Sequence, residues 1–394
     1  MRAEAAAAAA ADWRDALDAV AERLPMLRDG TPVDLVLLFA SDEYAASYPE
    51  LLADVRGRTG ARLLVGCSGQ GVIGPGREIE GEPALSLIAF SLPGADLKAL
   101  RLRQADIEDD TTAAMCLERA AIGDVNAWLL FADPYTLDPE RLLVSLGHAY
   151  PSAPIVGGLA SGDRRRRRTE LFLDGEVIEE GAVALAIGGP YDVRTVVSQG
   201  CVPIGEAWTI TGATANVVET IGMRPARDVL METFEALPQA TQARARSNLL
   251  VGLAMDEYRD DYGRGDFLIR SLMGIDDHEG TILVGAEPRV GQTIQFQLRD
   301  PAAADEDLVA LLGEARDALG GRQPVGALLC ACNGRGVGLF GAPDHDALAM
   351  IEQLGPLPVA GLFCNGEIGP IGGKPFVHGF TASIALIVPR EAPA

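Results

Sequence analysis

Apolar residues in this chain fall in short runs separated by polar turns dense in glycine, most clearly across residues 325–388. One run ends in Cys330-Ala331-Cys332 and enters the turn Asn333-Gly334-Arg335-Gly336. After a helical stretch, a second run ends at Phe363-Cys364 and enters Asn365-Gly366-Glu367. A third follows His378 and continues to Val388. The runs are too short for ordinary helices and have strand length. Polar side chains beside glycines, directly after buried strands, predict a concave site.

The same plan occurs twice more. Residues 34–41, a helical pattern, 63–71 and 83–90 form one copy; 127–134, 139–150, 154–162 and 181–187 form another. Each reads as strand, helix, strand, Gly-rich turn, connection and closing strand. Unequal spacing excludes a solenoid of fixed period. Internal duplication is the reading adopted, with generic α/β hydrophobicity as the competing account. The expected fold class is α+β: multilayer, with mixed, largely antiparallel sheets flanked by helices and repeated strand–helix–strand units. A doubly wound parallel sheet is the runner-up, because the regular succession of crossover helices it needs is missing.

Between the copies the pattern predicts further elements. Residues 3–28 read as one Ala-rich helix with Trp13, Leu17, Val20 and Leu24 on one face. Tyr48 to Thr59 reads as a helix stopped by Gly60. A helix over 105–123 is capped by Asp109 or Asp110 and includes Met115 and Cys116. The five arginines 164–168 form a solvated loop before a hairpin turning at Asp174-Gly175. Alternation at Val193, Thr195 and Val197 indicates a half-solvated strand. A helix over 225–237, a polar connection over 238–247, a strand over 248–255, three antiparallel strands between 267 and 299, and a helix over 304–319 complete the chain. A change of domain near 213–224 divides it into an N-terminal helix (1–30), a domain over 31–222 and a second domain over 223–388.

Composition narrows the function. The 394 residues are 48% hydrophobic, so a large core is expected rather than disorder. With 33 basic against 56 acidic residues, the net charge of −23 disfavours nucleic acid and anionic membrane. No apolar stretch is long enough to cross a bilayer, and no basic segment precedes a secretory core. Six cysteines in a chain this long do not make a disulfide scaffold, so a reducing cytoplasm is expected.

Several chemistries remain to be weighed. The loop from Gly66 through Cys67 and Ser68 to Gly76 offers backbone amides to an anion, but lacks a Walker lysine and a dinucleotide spacing. Ser68 is not in a hydrolase elbow. The spacing of Cys330, Cys332, Cys67 and Cys364 does not suit zinc. Cys364 with His378 and Asn365, and Glu367 as acid–base, has the residue types for thiol acyl transfer, although sequence proximity makes no triad. Arg335 either binds a ligand carboxylate through paired donors or forms a structural pair with Glu367, which in turn either meets an amine or orients Arg335. Asn333 and Asn365 supply both donors and acceptors.

These motifs resemble the FIST family over roughly residues 31–388. The N-terminal likeness rests on Leu37 to Ser41, Val65 to Gly71 and Ile155 to Gly158. The C-terminal likeness rests on Cys332 to Gly336, Gly361 to Pro370 and His378 to Ser383, with Arg270, Arg299 and Asp300 between them. The resemblance implies a sensory module that binds a small ligand, such as an amino acid or related metabolite, and signals to a separate protein such as a histidine kinase or other output protein. An F-box is joined to the module in a eukaryotic relative. Haem-based gas sensing is the family alternative, and no cofactor is otherwise expected. The expected ligand-binding residues are Asn333, Arg335, Cys364, Asn365, Glu367 and His378, with Cys67, Ser68 and Ser161 as secondary candidates. A non-enzymatic, free-standing cytoplasmic sensor is the expectation, without catalytic or metal residues.

Overall fold

A computed structural model of the chain describes residues 1–108, 124–163, 165, 167–259, 261–263 and 265–390. The helix expected over 105–123 lies almost wholly outside the described residues, as do Arg164 and Arg166. Two compact units are present: 1–197 with 309–377 and 381–394, and 198–308 with 378–380. The units therefore do not follow a linear division near residue 222, because the smaller is inserted in the chain ahead of the third repeat of the larger.

In the larger unit the three repeats are explicit. The first has strands Leu35–Ser41 and Leu63–Gly69 around helix Tyr48–Thr59, a hairpin of Gly71–Gly74 and Arg77–Glu80, and closing strand Ala84–Ser91. The second has Val125–Ala132, helix Pro139–Ala149, Ile155–Leu159, the hairpin Leu171–Leu173 and Glu176–Ile178, and Ala182–Gly188. The third has Gly326–Cys332, helix His345–Leu354, Val359–Cys364, the hairpin Gly366–Ile371 and Lys374–His378, and Ala382–Pro389. In each repeat the helical crossover makes the first two strands parallel, and the closing strand returns antiparallel to the first. The result is the mixed α+β architecture expected from the pattern.

The hairpins do not stay with their own repeats. The sheet of the first repeat is extended by the second repeat's hairpin, the sheet of the second by the third's, and the sheet of the third by the first's. This closed exchange gives three six-stranded sheets of the same strand order. One structural residue recurs in the second strand of each: Gly66, Gly157 and Gly361. A Cβ there would fall inside the envelope of the carbonyl oxygen of Leu38, Leu130 or Leu329 on the neighbouring strand. Only glycine permits that approach of two backbones.

Alternate residues of the buried strands serve two layers. Leu35, Leu37 and Phe39 join Leu129, Phe131, Leu328 and Cys330 in a shared core. Val36, Leu38 and Ala40 face the other way, against Tyr48, Leu51, Leu52 and Val55 of the covering helix. Gly60 ends that helix at φ 58°, as the sequence predicts.

Three expectations need correction. Residues 3–28 are not one helix: Arg2–Ala9 is a strand paired with the closing strand of the first repeat, and only Trp13–Glu22 is α-helical, capped by Asp12. The alanines have helix propensity, but their small side chains fit a tight sheet: Ala7 Cβ lies 2.6 Å from where a side chain on Gly74 would begin. Tertiary pairing outweighs a propensity of tenths of a kcal/mol per residue, roughly. Residues 238–247 are not a connection, since Gln239–Asn248 is a helix. Finally, 213–224 does not separate compact units: Cys201–Thr214 and Val217–Ile221 are a hairpin pair within the smaller one.

The smaller unit is a closed antiparallel sheet. Cys201–Thr214 is followed around the sheet by Thr293–Arg299, Leu249–Ala254, Phe267–Asp276, Thr281–Val284 and Val217–Ile221, which pairs again with Cys201–Thr214. Ile210, Val218, Val251, Ile282, Ile294 and Phe296 fill it. Among the described residues, no helix is long and apolar enough to cross a membrane.

Candidate functional site

Within the larger unit, the C-terminal ends of the three second strands are bonded to one another. Gln70, Ser161 and Asn365 each stand four residues after the recurring glycines 66, 157 and 361. Ser161 N donates to Ser68 O at 3.1 Å, and Asn365 N donates to Leu159 O at 3.0 Å. The third junction is bridged: Gln70 N donates to Ser161 Oγ, which donates to Phe363 O. Ser68 Oγ also donates to Ser161 O and accepts from Glu170 N. Ser68 and Ser161, both secondary candidates, are thus fully buried clamps of the junction.

Asn333 and Asn365 come together beside it. Asn333 Nδ2 donates to Asn365 Oδ1 at 2.9 Å, and Asn365 Nδ2 donates to Ala160 O at 3.0 Å. Asn333 Oδ1 is buried and accepts no hydrogen bond. Just beyond lies a cavity of about 690 Å³. Asp42, Glu43, Gln70, Glu80, Asp163 and Asn333 provide its polar wall, with Phe363, Ala45 and Ala46 as apolar surface. Asp42 Oδ2 accepts from Asp163 N at 2.8 Å, which ties the first repeat to the second. Glu80 Oε1 accepts from Val337 N at 2.9 Å, tying the exchanged hairpin to the third repeat.

Arg335 does not line this cavity. It is fully buried and forms a two-pronged pair with Asp346, Nε to Oδ2 at 2.6 Å and Nη2 to Oδ1 at 2.8 Å. Phe340 lies beneath the guanidinium, 5.3 Å from its carbon. The partner is Asp346 rather than Glu367, the one considered from sequence. Glu78 accepts from the amides of Asp346 and Ala347 at the start of the same helix. Burial, then the nearby Asp346 carboxylate, pushes Glu78 up to about 7.

Glu367, Cys364, Cys330 and Cys67 lie behind the junction, fully buried. Glu367 Oε2 accepts from Thr381 N at 3.0 Å, and its Oε1 lies 3.4 Å from the Cys364 thiol. Burial pushes the carboxyl up to about 8, so it is protonated at neutral pH. Burial also raises the thiols of Cys67, Cys330 and Cys364. As thiols rather than thiolates they are poor nucleophiles. His378 is buried at the end of strand Lys374–His378 and falls in the smaller unit.

Of the expected set, then, Asn333 reaches the cavity wall, while Asn365, Ser161 and Ser68 brace the junction. Cys364, Glu367 and Cys67 belong to the interior, and Arg335 to a separate buried pair. Asp42, Glu43, Gln70, Glu80 and Asp163 are not singled out from sequence. Their only signal is a shared one: each stands at or shortly past the end of a strand. No histidine lines the cavity among the described residues, so it does not fit a histidine-ligated haem. Nor do the described residues contain a group of three or more His, Cys, Asp or Glu placed to hold a metal ion.

A three-repeat α+β sheet assembly with a polar cavity beside its strand junction is the architecture of the larger unit. The chain matches the FIST N domain over residues 34–224 and the FIST C domain over 226–370, and it belongs to the FIST family of sensory proteins. It is 39% identical over 375 residues to Rv0628c of Mycobacterium tuberculosis (strain ATCC 25618 / H37Rv), covering 95% of this chain and 96% of that protein. It is 38% identical over 377 residues to Mb0898c of Mycobacterium bovis, with the same coverage of both chains. An Arabidopsis thaliana F-box/LRR-repeat protein is 31% identical over 105 residues, 26% of this chain and 20% of that one. Among solved structures, a cyanuric acid hydrolase from A. caulinodans aligns over 99% of each chain, at 10% identity and a TM-score of 0.38. That likeness is too slight to bear on fold or activity.

Proposed function

We propose that this chain is a cytoplasmic sensor: it binds a small ligand in the cavity at the strand junction and signals the bound state to a separate output protein. FIST N–FIST C architecture supports small-ligand sensing in general. The observation that carries the present reading is the cavity itself. Residues from all three repeats line it, Asp42 and Glu80 from the first, Asp163 from the second and Asn333 and Phe363 from the third. A ligand there touches segments of all three repeats, which are also linked beside the cavity by hydrogen bonds such as Asp163 N to Asp42 and Val337 N to Glu80. Binding would therefore change how the repeats are held, which is what a sensor needs.

The chemistry is binding rather than turnover. Protonated, buried thiols and a protonated Glu367 hold the interior together instead of attacking a substrate. Native mass spectrometry of gently purified protein tests the reading, with Ala46→Trp as the blocked control. Retained small-molecule mass in the parent and its loss in the variant are expected. Retention unchanged in Ala46→Trp would reject the cavity as the site.

A further inference from the structure

A thiol pair beside the strand junction carries chemistry of its own, independent of what the cavity binds. Cys332 ends the first strand of the third repeat and Cys364 ends the second, and the two are register partners in that parallel pair. Register partners on neighbouring strands project to the same face of a sheet. Here that face is the shared core, which also holds Cys330, two residues before Cys332. Neighbouring strands lie about 4.8 Å apart, within the roughly 4.4–6.8 Å between Cα atoms that a disulfide spans. Both cysteines are free thiols.

The two thiols differ in access. Cys364 is fully buried, whereas Cys332 is half-buried, so a solute meets Cys332 first. Glu367 touches both: its Oε1 lies 3.4 Å from Cys364 Sγ, and its carboxyl also takes a hydrogen bond from the Cys332 thiol. Thr381 N donates to Glu367 Oε2 at 3.0 Å and holds the carboxyl in place. Cys330 is the competing partner, since its Sγ and that of Cys364 lie 3.3 and 3.1 Å from where a Cβ on Gly158 would sit. It is fully buried, however, and its register partner is Leu362 rather than Cys364. Asn333 and Asn365 directly follow the pair and are bonded to each other at 2.9 Å. A covalent link one residue back would fix the two strand ends that carry them.

We propose that Cys332 and Cys364 form a reversible disulfide when the protein meets a hydroperoxide, with Cys332 oxidised first and Cys364 resolving it. Cys332 Sγ attacks one peroxide oxygen; the O–O bond breaks, the other oxygen leaves as an alcohol or water with the thiol proton, and Cys332 becomes a sulfenic acid. Cys364 Sγ then attacks that sulfur, forming the S–S bond as the S–O bond breaks. Glu367, protonated and in contact with both sulfurs, gives its proton to the departing oxygen and takes the one from Cys364, so that water leaves and the carboxyl is unchanged. The modification is stoichiometric, and a thiol reductant reverses it by exchange. Adjacent register partners hold the bond near the short end of its Cα range, and strained disulfides are the readily reduced, regulatory kind.

Peptide mapping without reductant tests this on parent protein treated with hydrogen peroxide, cleared with catalase and alkylated in denaturant with N-ethylmaleimide. A Cys332–Cys364 cross-link that dithiothreitol removes is expected. Cys332→Ser should leave Cys364 alkylated, and Cys330→Ala should keep the cross-link, with thermal melts checking that each variant is folded. In Glu367→Gln the second step should slow about a hundredfold, so that dimedone, which traps sulfenic acids, labels Cys332. An unchanged rate there would overturn the part given to Glu367 and leave the disulfide standing. A cross-link from Cys364 to Cys330, or between chains, overturns the proposal. So does Cys332 left unoxidised, or carried to sulfinic acid while Cys364 stays a thiol; the parent map alone decides these outcomes.

Discussion

Arg335 and Asp346 form a two-pronged ion pair with no solvent contact, at 2.6 and 2.8 Å, between the turn after the third repeat's first strand and the start of its helix. Two charges taken out of water are tolerated only because each has the other. Asp346→Ala leaves a buried guanidinium uncompensated and is expected to cost about 3–5 kcal/mol by chemical denaturation. Replacing both members with apolar residues, Arg335→Met with Asp346→Leu, should recover most of that loss. Ligand affinity should survive in the double variant, because neither residue lines the cavity.

Acid should probe the same pair. The Arg335 guanidinium holds Asp346 down at about 2 in spite of its burial. A depressed carboxyl contributes stability that is present above its unfolded value and is lost as pH falls toward its folded one. The parent should therefore weaken between about pH 4 and pH 2, and the double variant less steeply in that window.

Glu367 should act in the opposite direction. Its carboxyl is raised to about 8, so the folded protein binds a proton that the unfolded chain has released. Its contribution is complete below the unfolded value near pH 4.5 and falls as pH rises toward 8. The slope attributable to this group is about 1.4 kcal/mol per pH unit in that window. Glu367→Gln, neutral at every pH, should flatten the fall in melts taken across it. An unchanged slope would mean that the carboxyl is ionised in the folded protein.

The repeat is largely legible from the chain and the site only in part. Hydrophobic runs of strand length, a helical spacer and a glycine turn recur because each repeat builds the same half-buried sheet. The exchange of hairpins is not legible: Gly71–Gly74 pairs with Val359–Cys364, nearly three hundred positions away, and no local pattern encodes that. The alanine strand at the N-terminus is hidden for the same reason. For the site, Asn333 is recognisable from its place after a buried strand, but so is Arg335, whose turn points inward to Asp346. Asp42, Glu80 and Asp163 resemble ordinary surface acids until the sheets bring them to one cavity.

The glycines in the second strands give a sharp structural prediction. In Gly157→Ala or Gly361→Ala the new methyl meets a backbone carbonyl of the neighbouring strand, which cannot rotate away as a side chain would. Either variant is expected to lose more than about 4 kcal/mol or fail to accumulate as folded protein. Gly338→Ala is the control: nothing lies within 4 Å of the added atom, and alanine suits its helix, so stability should hold or rise. Equal losses at all three positions would contradict so close an approach of the strands.

Ser161→Ala tests the junction. Removing the hydroxyl leaves Gln70 N without its acceptor and Phe363 O without its donor. A cost of about 1–3 kcal/mol is expected, and because the bridge joins all three repeats, exchange of the Gln70 amide should accelerate. Unchanged exchange at Gln70 would show that the bridge does not hold the strand ends together.

The central claim is that ligand enters the cavity at the strand junction. Amide hydrogen exchange, measured with and without the dialysable small-molecule fraction of a cell extract, tests it most directly. Protection is predicted at residues 41–46, 68–71, 79–81, 161–163 and 333, the segments that carry or adjoin the cavity wall. Protection confined to other parts of the chain, with these segments unchanged, would contradict it.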